Sequence, residues 1–179
     1  EEKFRSLFDS MMEMVVLHEL VFDAGGEAVN YRLIDCNPAF AQMIGLKAED
    51  LIGKLATEVY KTETAPYLDE YAHTALTGEF KTFSTHFAPM DRSFEVRVFS
   101  PKKNIFATVT NDITERKRIE SCQEMVHEVL RILNEPGDLQ ESVQQILGVM
   151  KTRTEVDAVG LRLQVGEDFP YFAQHGFSE

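Results

Sequence analysis

The chain has 179 residues, enough for one domain of ordinary size with a further piece, or for two small domains. Its net charge of −12 argues against nucleic-acid binding and against a basic membrane anchor, because both need clustered positive charge. A hydrophobic content of 44%, with 13 Phe and no Trp, predicts a packed and Phe-rich core.

Targeting signals and cysteines add little further information. No apolar run is long enough to cross a bilayer, and no signal peptide is visible. Cys36 and Cys122 are too few and too far apart for a disulfide framework or a zinc site, so we expect reduced thiols in the cytoplasm. Because the chain starts with Glu1 rather than Met, we expect a piece of a longer protein, whose other parts can be membrane-associated.

The first third of the sequence predicts a helix, a hairpin and a second helix. Apolar residues in "EEKFRSLFDSMM" repeat at helical spacing. The β-rich runs "VVLHELVFD" and "VNYRLIDC" flank "AGGEA", and two glycines between such runs are typical of a hairpin. In "NPAFAQMIG", Asn37 suits a helix N-cap, Pro38 the first turn and Gly45 the end of the helix.

Short helices and three further strands follow. The helices are expected at "AEDLIG" and "TAPYLDEYAHTALTG", and the strands at "FKTFSTHFA", "SFEVRVFS" and "IFATVTND". Since the helices separate a hairpin from three consecutive strands, the pattern predicts an α+β fold with one antiparallel five-stranded sheet and helices on one face.

After the stretch "NDITERKR" the pattern becomes helical. We expect Thr114 to cap this helix by accepting a hydrogen bond from a backbone N–H group of its first turn. The apolar residues that follow repeat every three or four positions, as in a coiled coil or a packed helix pair: Ile119, Cys122, Val126, Val129 and Leu133. Pro136 and Gly137 end this helix. A second helix follows, and the last 25 or so residues predict a hairpin that packs on the helices.

The segments "RLIDCNPAFAQMIGLKAEDLIGK", "TGEF", "SFEVRVFSP" and "NDITERKR" occur in the order and at the spacing of a PAS domain, which residues 1–115 resemble. From about residue 122 onward, "MVHEVLRILNEPGDLQESVQQILGVM" and "EVDAVGLRLQV" resemble the opening of a GAF domain. By this resemblance residues 116–134 are a linker helix running into the GAF start. Residues 135–179 are then an N-terminal GAF fragment, and the linker and fragment together form a helix–helix–hairpin unit.

The resemblance implies a sensory module of a bacterial signalling protein, most simply a sensor histidine kinase of a two-component system, with a diguanylate cyclase as the other parent. In PAS proteins the last strand passes a conformational change to the exit helix, and Asp112 and Thr114 match that transmission motif. The alternative is that Asp112 is only a turn residue and Thr114 only a cap.

The family's cofactor residues are absent from their positions. A flavin-photoadduct PAS domain would carry a reactive cysteine near Ala56, and a haem-binding one a histidine where this chain has Tyr67. His73 lies on the same predicted helix but nearly two turns later. We therefore expect neither haem nor flavin, and leave an unidentified small molecule open.

Residues of two predicted strands and of the helices form a candidate ligand site. On the strands they are Phe83, Thr85, Phe87, Phe94, Val96 and Val98, and from the helices Phe40, Met43, Tyr60, Tyr67 and Tyr71. Such a lining, apolar with a few hydroxyls, suits a small ligand, but it equally suits a filled core.

Two functions therefore stay open for this chain, a ligand-sensing module and a ligand-free dimerisation or interaction module. The sequence shows no metal-ligand spacing and no catalytic constellation, so we expect no enzyme activity in these residues. We expect a homodimer through the helical segments, with no nucleic acid and no membrane contact.

Overall fold

The computed structural model describes residues 2–177. The chain divides into two compact units, Glu1–Thr114 and Glu115–Glu179. None of the helices in the described part combines the length and the hydropathy that crossing a bilayer requires.

The N-terminal unit contains five helices and five strands. In chain order they are α1 (Glu2–Ser10), β1 (Met14–Phe22), β2 (Ala28–Cys36), α2 (Pro38–Ile44), α3 (Ala48–Leu51), α4 (Ala56–Tyr60), α5 (Leu68–Thr77), β3 (Lys81–Phe87), β4 (Arg92–Lys102) and β5 (Ile105–Asp112). A single 3₁₀ turn, Ala88–Met90, follows β3. The C-terminal unit continues with α6 (Thr114–Asn134), α7 (Leu139–Thr154), β6 (Val159–Arg162) and β7 (Tyr171–His175).

The five strands form one antiparallel sheet in the order β2-β1-β5-β4-β3. The predicted α+β class and the five-stranded sheet are confirmed. Side chains alternate along β1, so that Met14, Val16, His18 and Leu20 point into the core while Glu19 is exposed. Helices α2, α4 and α5 contact the sheet and contribute to the same core. On β3 the alternate residues, such as Thr82, are exposed.

Helix α2 begins and ends where its sequence predicts. Asn37 is its N-cap: the side-chain oxygen accepts a hydrogen bond from the N–H group of Phe40 at 3.2 Å. Gly45 ends the helix in the left-handed conformation, at φ 77°, and its N–H group bonds to the carbonyl oxygens of Ala41 and Gln42.

The region between α3 and α5 differs from the prediction. Helix α4 was not expected. The carboxylate of Glu58, in its first turn, accepts a hydrogen bond from the N–H group of the N-cap residue Leu55 at 2.8 Å. Helix α5 begins only at Leu68, because Tyr67 before it adopts a left-handed backbone at φ 55°. Tyr67 therefore lies before the helix and not within it.

In the C-terminal unit, β6 and β7 form the predicted hairpin. Strand β7 lies on α7, where the side-chain amides of Gln140 and Gln144 donate to the carbonyl oxygens of Phe172 at 3.3 Å and Gln174 at 2.6 Å. Ala173 is buried with Ile132 and Leu147. The side chains of β6 and its extension stay largely exposed among the described residues: Leu161, Leu163 and Val165. The hairpin therefore packs on the helices only in part, and the apolar side chains of β6 and its extension remain uncovered.

We predict that Asn37→Ala destabilises the N-terminal unit by about 2–3 kcal/mol, because the buried amide serves several backbone groups at once. Its oxygen accepts from Val15 as well as Phe40, and its NH₂ group donates to the Glu13 carbonyl oxygen at 2.8 Å. Denaturant unfolding measures the loss. The exposed Gln42→Ala change on the same helix is the control and should stay within about 0.5 kcal/mol of wild type. Equal stability of the two variants would contradict the assignment.

Candidate ligand site and exit to the linker helix

A cavity lies between the inward face of the sheet and the helices of the N-terminal unit. Its water-accessible volume is ≈ 60 Å³, whereas one water molecule needs roughly 10–15 Å³ by this measure. All five strands contribute to the lining, together with α2, α4, α5 and the segment before α5. The cavity therefore has room for a few water molecules or for a small ligand.

All but two of the predicted ligand residues line this cavity: Phe40, Met43, Tyr60, Tyr67, Tyr71, Thr85, Phe87, Phe94 and Val96. Phe83 and Val98 are outside the lining. Val98 is fully buried in the core beside it, and Phe83 packs its ring 5.5 Å from that of Tyr67. The structure thus brings these side chains together, and ligand binding by them stays a prediction.

Aromatic rings form one side of the cavity and contact one another edge to face. The ring of Tyr60 lies 5.6 Å from that of Phe87 and 6.5 Å from that of Phe40, both T-shaped. The ring of Tyr67 lies 6.1 Å from that of Tyr71. Aromatic pairs prefer such arrangements, so the packing of these rings fixes the cavity's shape.

The polar groups of the cavity are hydroxyls and one imidazole, with no charged side chain in the lining. Tyr67 and Thr85 share a hydrogen bond at 3.0 Å, and the Tyr31 hydroxyl donates to the Pro66 carbonyl oxygen at 3.0 Å. Burial raises the pKa of Tyr31, Tyr60 and Tyr71, so all three phenols stay protonated at neutral pH. The site is therefore uncharged.

His18 is a cavity residue that the sequence analysis did not select. It lies on β1 between Val16 and Leu20, and the alternation of apolar residues there could have placed it on the inward face. Its side chain is 1% exposed, and neither ring nitrogen has a hydrogen-bond partner among the described residues. Burial lowers its pKa to about 3, so the imidazole is neutral.

The remaining histidines and cysteines do not reach the cavity. His73 is 55% exposed and bonds to Glu79 at 2.9 Å, and His86 is similarly exposed on β3. Cys36 is buried in the core and Cys122 is exposed on α6. Among the described residues there is no cluster of three or more side chains suited to a metal ion.

The end of β5 is joined to β4 where α6 begins. The Arg92 guanidinium donates to the Asp112 carboxylate at 2.5 Å, and Asp112 also accepts from the Thr114 hydroxyl at 2.6 Å and from its N–H group at 2.9 Å. Burial alone would raise the pKa of Asp112, but the hydrogen bonds from Thr114 and Arg92 outweigh it and lower that pKa. Asp112 is therefore ionised in this contact.

Thr114 does not cap the helix in the predicted way. It is the first residue of α6, and its hydroxyl oxygen accepts from the backbone N–H group of Ser93 on β4, at 2.9 Å, rather than from the first helical turn. The neighbouring strand competes for this oxygen because β4 pairs with the end of β5. Thr114 therefore connects the exit of the sheet to β4.

Comparison with known proteins supports the fold that this geometry suggests. Residues 2–81 match the family model described as PAS domain. The matched residues lie within the N-terminal unit and run from α1 to the start of β3. No curated protein matches the chain. The GAF resemblance of the C-terminal unit has no counterpart in the family match.

Solved structures that match parts of this chain include PAS domains and a domain of a sensor histidine kinase/response regulator. A domain of an HTR-like protein from Haloarcula marismortui is 19% identical, with a TM-score of 0.45, over 58% of this chain and 100% of that one. The PAS domain of Bordetella pertussis BvgS is 20% identical, with a TM-score of 0.38, over 71% of this chain and 96% of that one. A domain of a sensory box sensor histidine kinase/response regulator from Geobacter sulfurreducens is 14% identical, with a TM-score of 0.40. The match covers 62% of this chain and 92% of that one.

The buried imidazole predicts a pH dependence of stability. His18 has a folded-state pKa of about 3 against an ordinary 6.5, so the unfolded chain binds more protons between these values. Its contribution is therefore fully present above pH 6.5 and is lost as the pH falls toward 3. We expect the N-terminal unit to lose about 1.4 kcal/mol more between pH 7.5 and 5.5 than a His18→Phe variant.

Denaturant unfolding at the two pH values measures this difference. The exposed His86→Phe variant is the matched control and should follow the wild-type pH dependence. If His18→Phe and wild type lose the same stability over this interval, the imidazole is not buried as a neutral ring in solution.

Proposed function

We propose that this PAS domain is the sensory module of a larger bacterial signalling protein, which binds a small molecule in its cavity and passes the change into α6. The observation that carries this proposal is the short path between the two sites. Phe94 lines the cavity, and its cross-strand partner in the sheet is Asp112, which bonds to Thr114. A ligand that displaces Phe94 would act on the exit contact through one residue pair.

We further propose a sensor histidine kinase as the parent, with the sensory part of a diguanylate cyclase as the alternative. The C-terminal unit is proposed as the start of a GAF domain, on the strength of its order of two helices and a hairpin. The residues described here are proposed to transmit a signal without catalysing a reaction. The two free cysteines favour a cytoplasmic location.

A second candidate function is a PAS-type dimerisation module without a ligand. The small volume of the cavity favours it, since ≈ 60 Å³ can also be occupied by water alone. Exposed apolar side chains favour it as well. In α1 these are Phe4 at 82% and Leu7 at 66%, and in α6 Ile119 at 50% and Val126 at 48%.

Native mass spectrometry of protein purified from cells separates the two candidates. We expect a retained small molecule of near-stoichiometric occupancy, and an absorption spectrum without haem or flavin bands. A protein that retains no molecule in repeated preparations favours the ligand-free module. A haem or flavin band at near-stoichiometric yield would contradict the cofactor prediction.

The proposed transmission predicts an effect of Thr114→Val. Removing the hydroxyl leaves the Ser93 N–H group without its acceptor, at a cost of about 1 kcal/mol. We expect the Ser93 amide and the first turn of α6 to exchange hydrogen roughly fivefold faster. Thr82→Val, the same chemical change at an exposed site on β3, is the control. Unchanged exchange at Ser93 would mean that the contact does not hold the exit.

The proposed homodimer predicts that Val126→Asp with Val129→Asp dissociates the chain, because charge replaces apolar area worth roughly 25 cal/mol per Å². Multi-angle light scattering measures the mass. Ser121→Asp with Lys117→Gln changes the net charge equally on another side of the exposed helix and should leave the dimer intact. If the wild type is monomeric, or if the double aspartate variant is still a dimer, the apolar residues of α6 are not the dimer interface.

A further inference from the structure

His18 presents an unusual buried polar group. Both of its ring nitrogens are shielded from solvent and lack a hydrogen-bond partner among the described residues. Folded proteins pair nearly all such groups, because an unpaired one loses its bonds to water without replacement. A partner from outside the protein would therefore restore a hydrogen bond that the imidazole loses on burial.

Aromatic rings surround His18. The imidazole stacks on Phe106, with 4.7 Å between centroids and 14° between planes, and lies 6.4 Å from Tyr71 at 18°. It meets Tyr31 in a T-shaped contact at 5.1 Å. Since hydrogen bonds to an imidazole form in the plane of the ring, a partner must approach its edge. His18 is part of the cavity wall, but a water-sized probe reaches neither ring nitrogen. A ligand in the cavity therefore bonds to the imidazole edge only if the His18 ring or a neighbouring wall side chain moves.

The chemistry of the lining restricts the partner's charge. The imidazole is neutral, which gives it one donor and one acceptor nitrogen. Among the described residues that line the cavity there is no Lys or Arg to pair with an anion and no Asp or Glu to pair with a cation. A hydroxyl or an amide is the group that matches a neutral imidazole, because it can donate and accept without carrying charge.

The size and composition of the walls restrict the rest of the ligand. The volume of ≈ 60 Å³ is below the roughly 150 Å³ of an engineered cavity that binds benzene, so a single ring is the upper limit and requires the wall side chains to move apart. Met14, Met43 and Met90 lie in the wall, and methionine side chains adapt to occupants of different shape. Stacking on Tyr and Phe rings favours a flat apolar body.

We propose that His18 is the specificity-determining residue of the cavity and hydrogen-bonds a neutral, single-ring ligand that carries a hydroxyl or amide group. This inference rests on the proposed ligand-sensing function of the same cavity.

The test compares phenol with toluene, which match in size and differ in the hydroxyl. Titrations of isotope-labelled protein followed by NMR give both affinities, and shifts at Val16, Thr85 and Val96 locate the probes. We expect phenol to bind about fivefold to tenfold more tightly than toluene, as one added hydrogen bond implies. The ring-nitrogen signals of His18 should move with phenol. In His18→Phe the preference should fall to within about twofold, whereas His86→Phe should keep it.

Other outcomes separate this inference from the proposed function. Equal binding of phenol and toluene, or an unchanged preference in His18→Phe, overturns the role of His18 but leaves ligand sensing intact. Tighter binding of benzoate or tetramethylammonium than of phenol overturns the neutral ligand class. If no probe shifts the cavity signals, the inference fails, and native mass spectrometry still decides whether the cavity holds a cellular ligand. Should His18→Phe fail to fold, wild-type His18 signals that stay unmoved at phenol saturation overturn the proposal.

Discussion

One buried amide determines how the N-terminal unit is assembled around its cavity. Asn37 is fully buried and holds two segments together: it bonds to the backbone of Glu13 and Val15 around the start of β1 and to the N–H group of Phe40 in α2. Met14, the first residue of β1, lines the cavity from the sheet, and Phe40 lines it from the helix. Because an unpaired buried backbone group is costly, the amide fixes the spacing between the two walls. The cavity depends on that spacing.

The sheet order places the cavity and the exit on the same pair of strands. Strand β5 lies between β1 and β4, so its residues Thr108 and Thr110 line the cavity while its end carries Asp112. Strand β4 contributes Phe94 to the lining and, one residue earlier, Ser93 to the contact with Thr114. The two strands are joined by backbone hydrogen bonds along their length. A movement of the cavity wall on β4 or β5 could therefore reach the start of α6 directly, without a series of side-chain contacts in between.

Local patterns in the sequence predict most of this fold, and tertiary packing explains the exceptions. Alternation predicts the strands, and the Asn37 cap predicts α2, since both depend on near neighbours. Tyr67 was expected inside a helix, but its ring packs on Phe83 and its hydroxyl bonds to Thr85, contacts distant in sequence that accompany a left-handed backbone. The inward direction of His18 was readable from alternation. Its lack of a partner was not, because that depends on what β2, α5 and β5 place around it.

Charge separates the two parts of the proposed sensor. The cavity lining carries no charged side chain, whereas the exit contact pairs ionised Asp112 with Arg92, whose side chains are 26% and 47% exposed. Water screens such a pair, so a neutral ligand in the cavity has little electrostatic influence on it. The low pKa of Asp112 also keeps the contact intact across the physiological pH range. Transmission in this domain would therefore have to be mechanical: a shift of β4 that changes the distance between Ser93 and Thr114, and with it the start of α6.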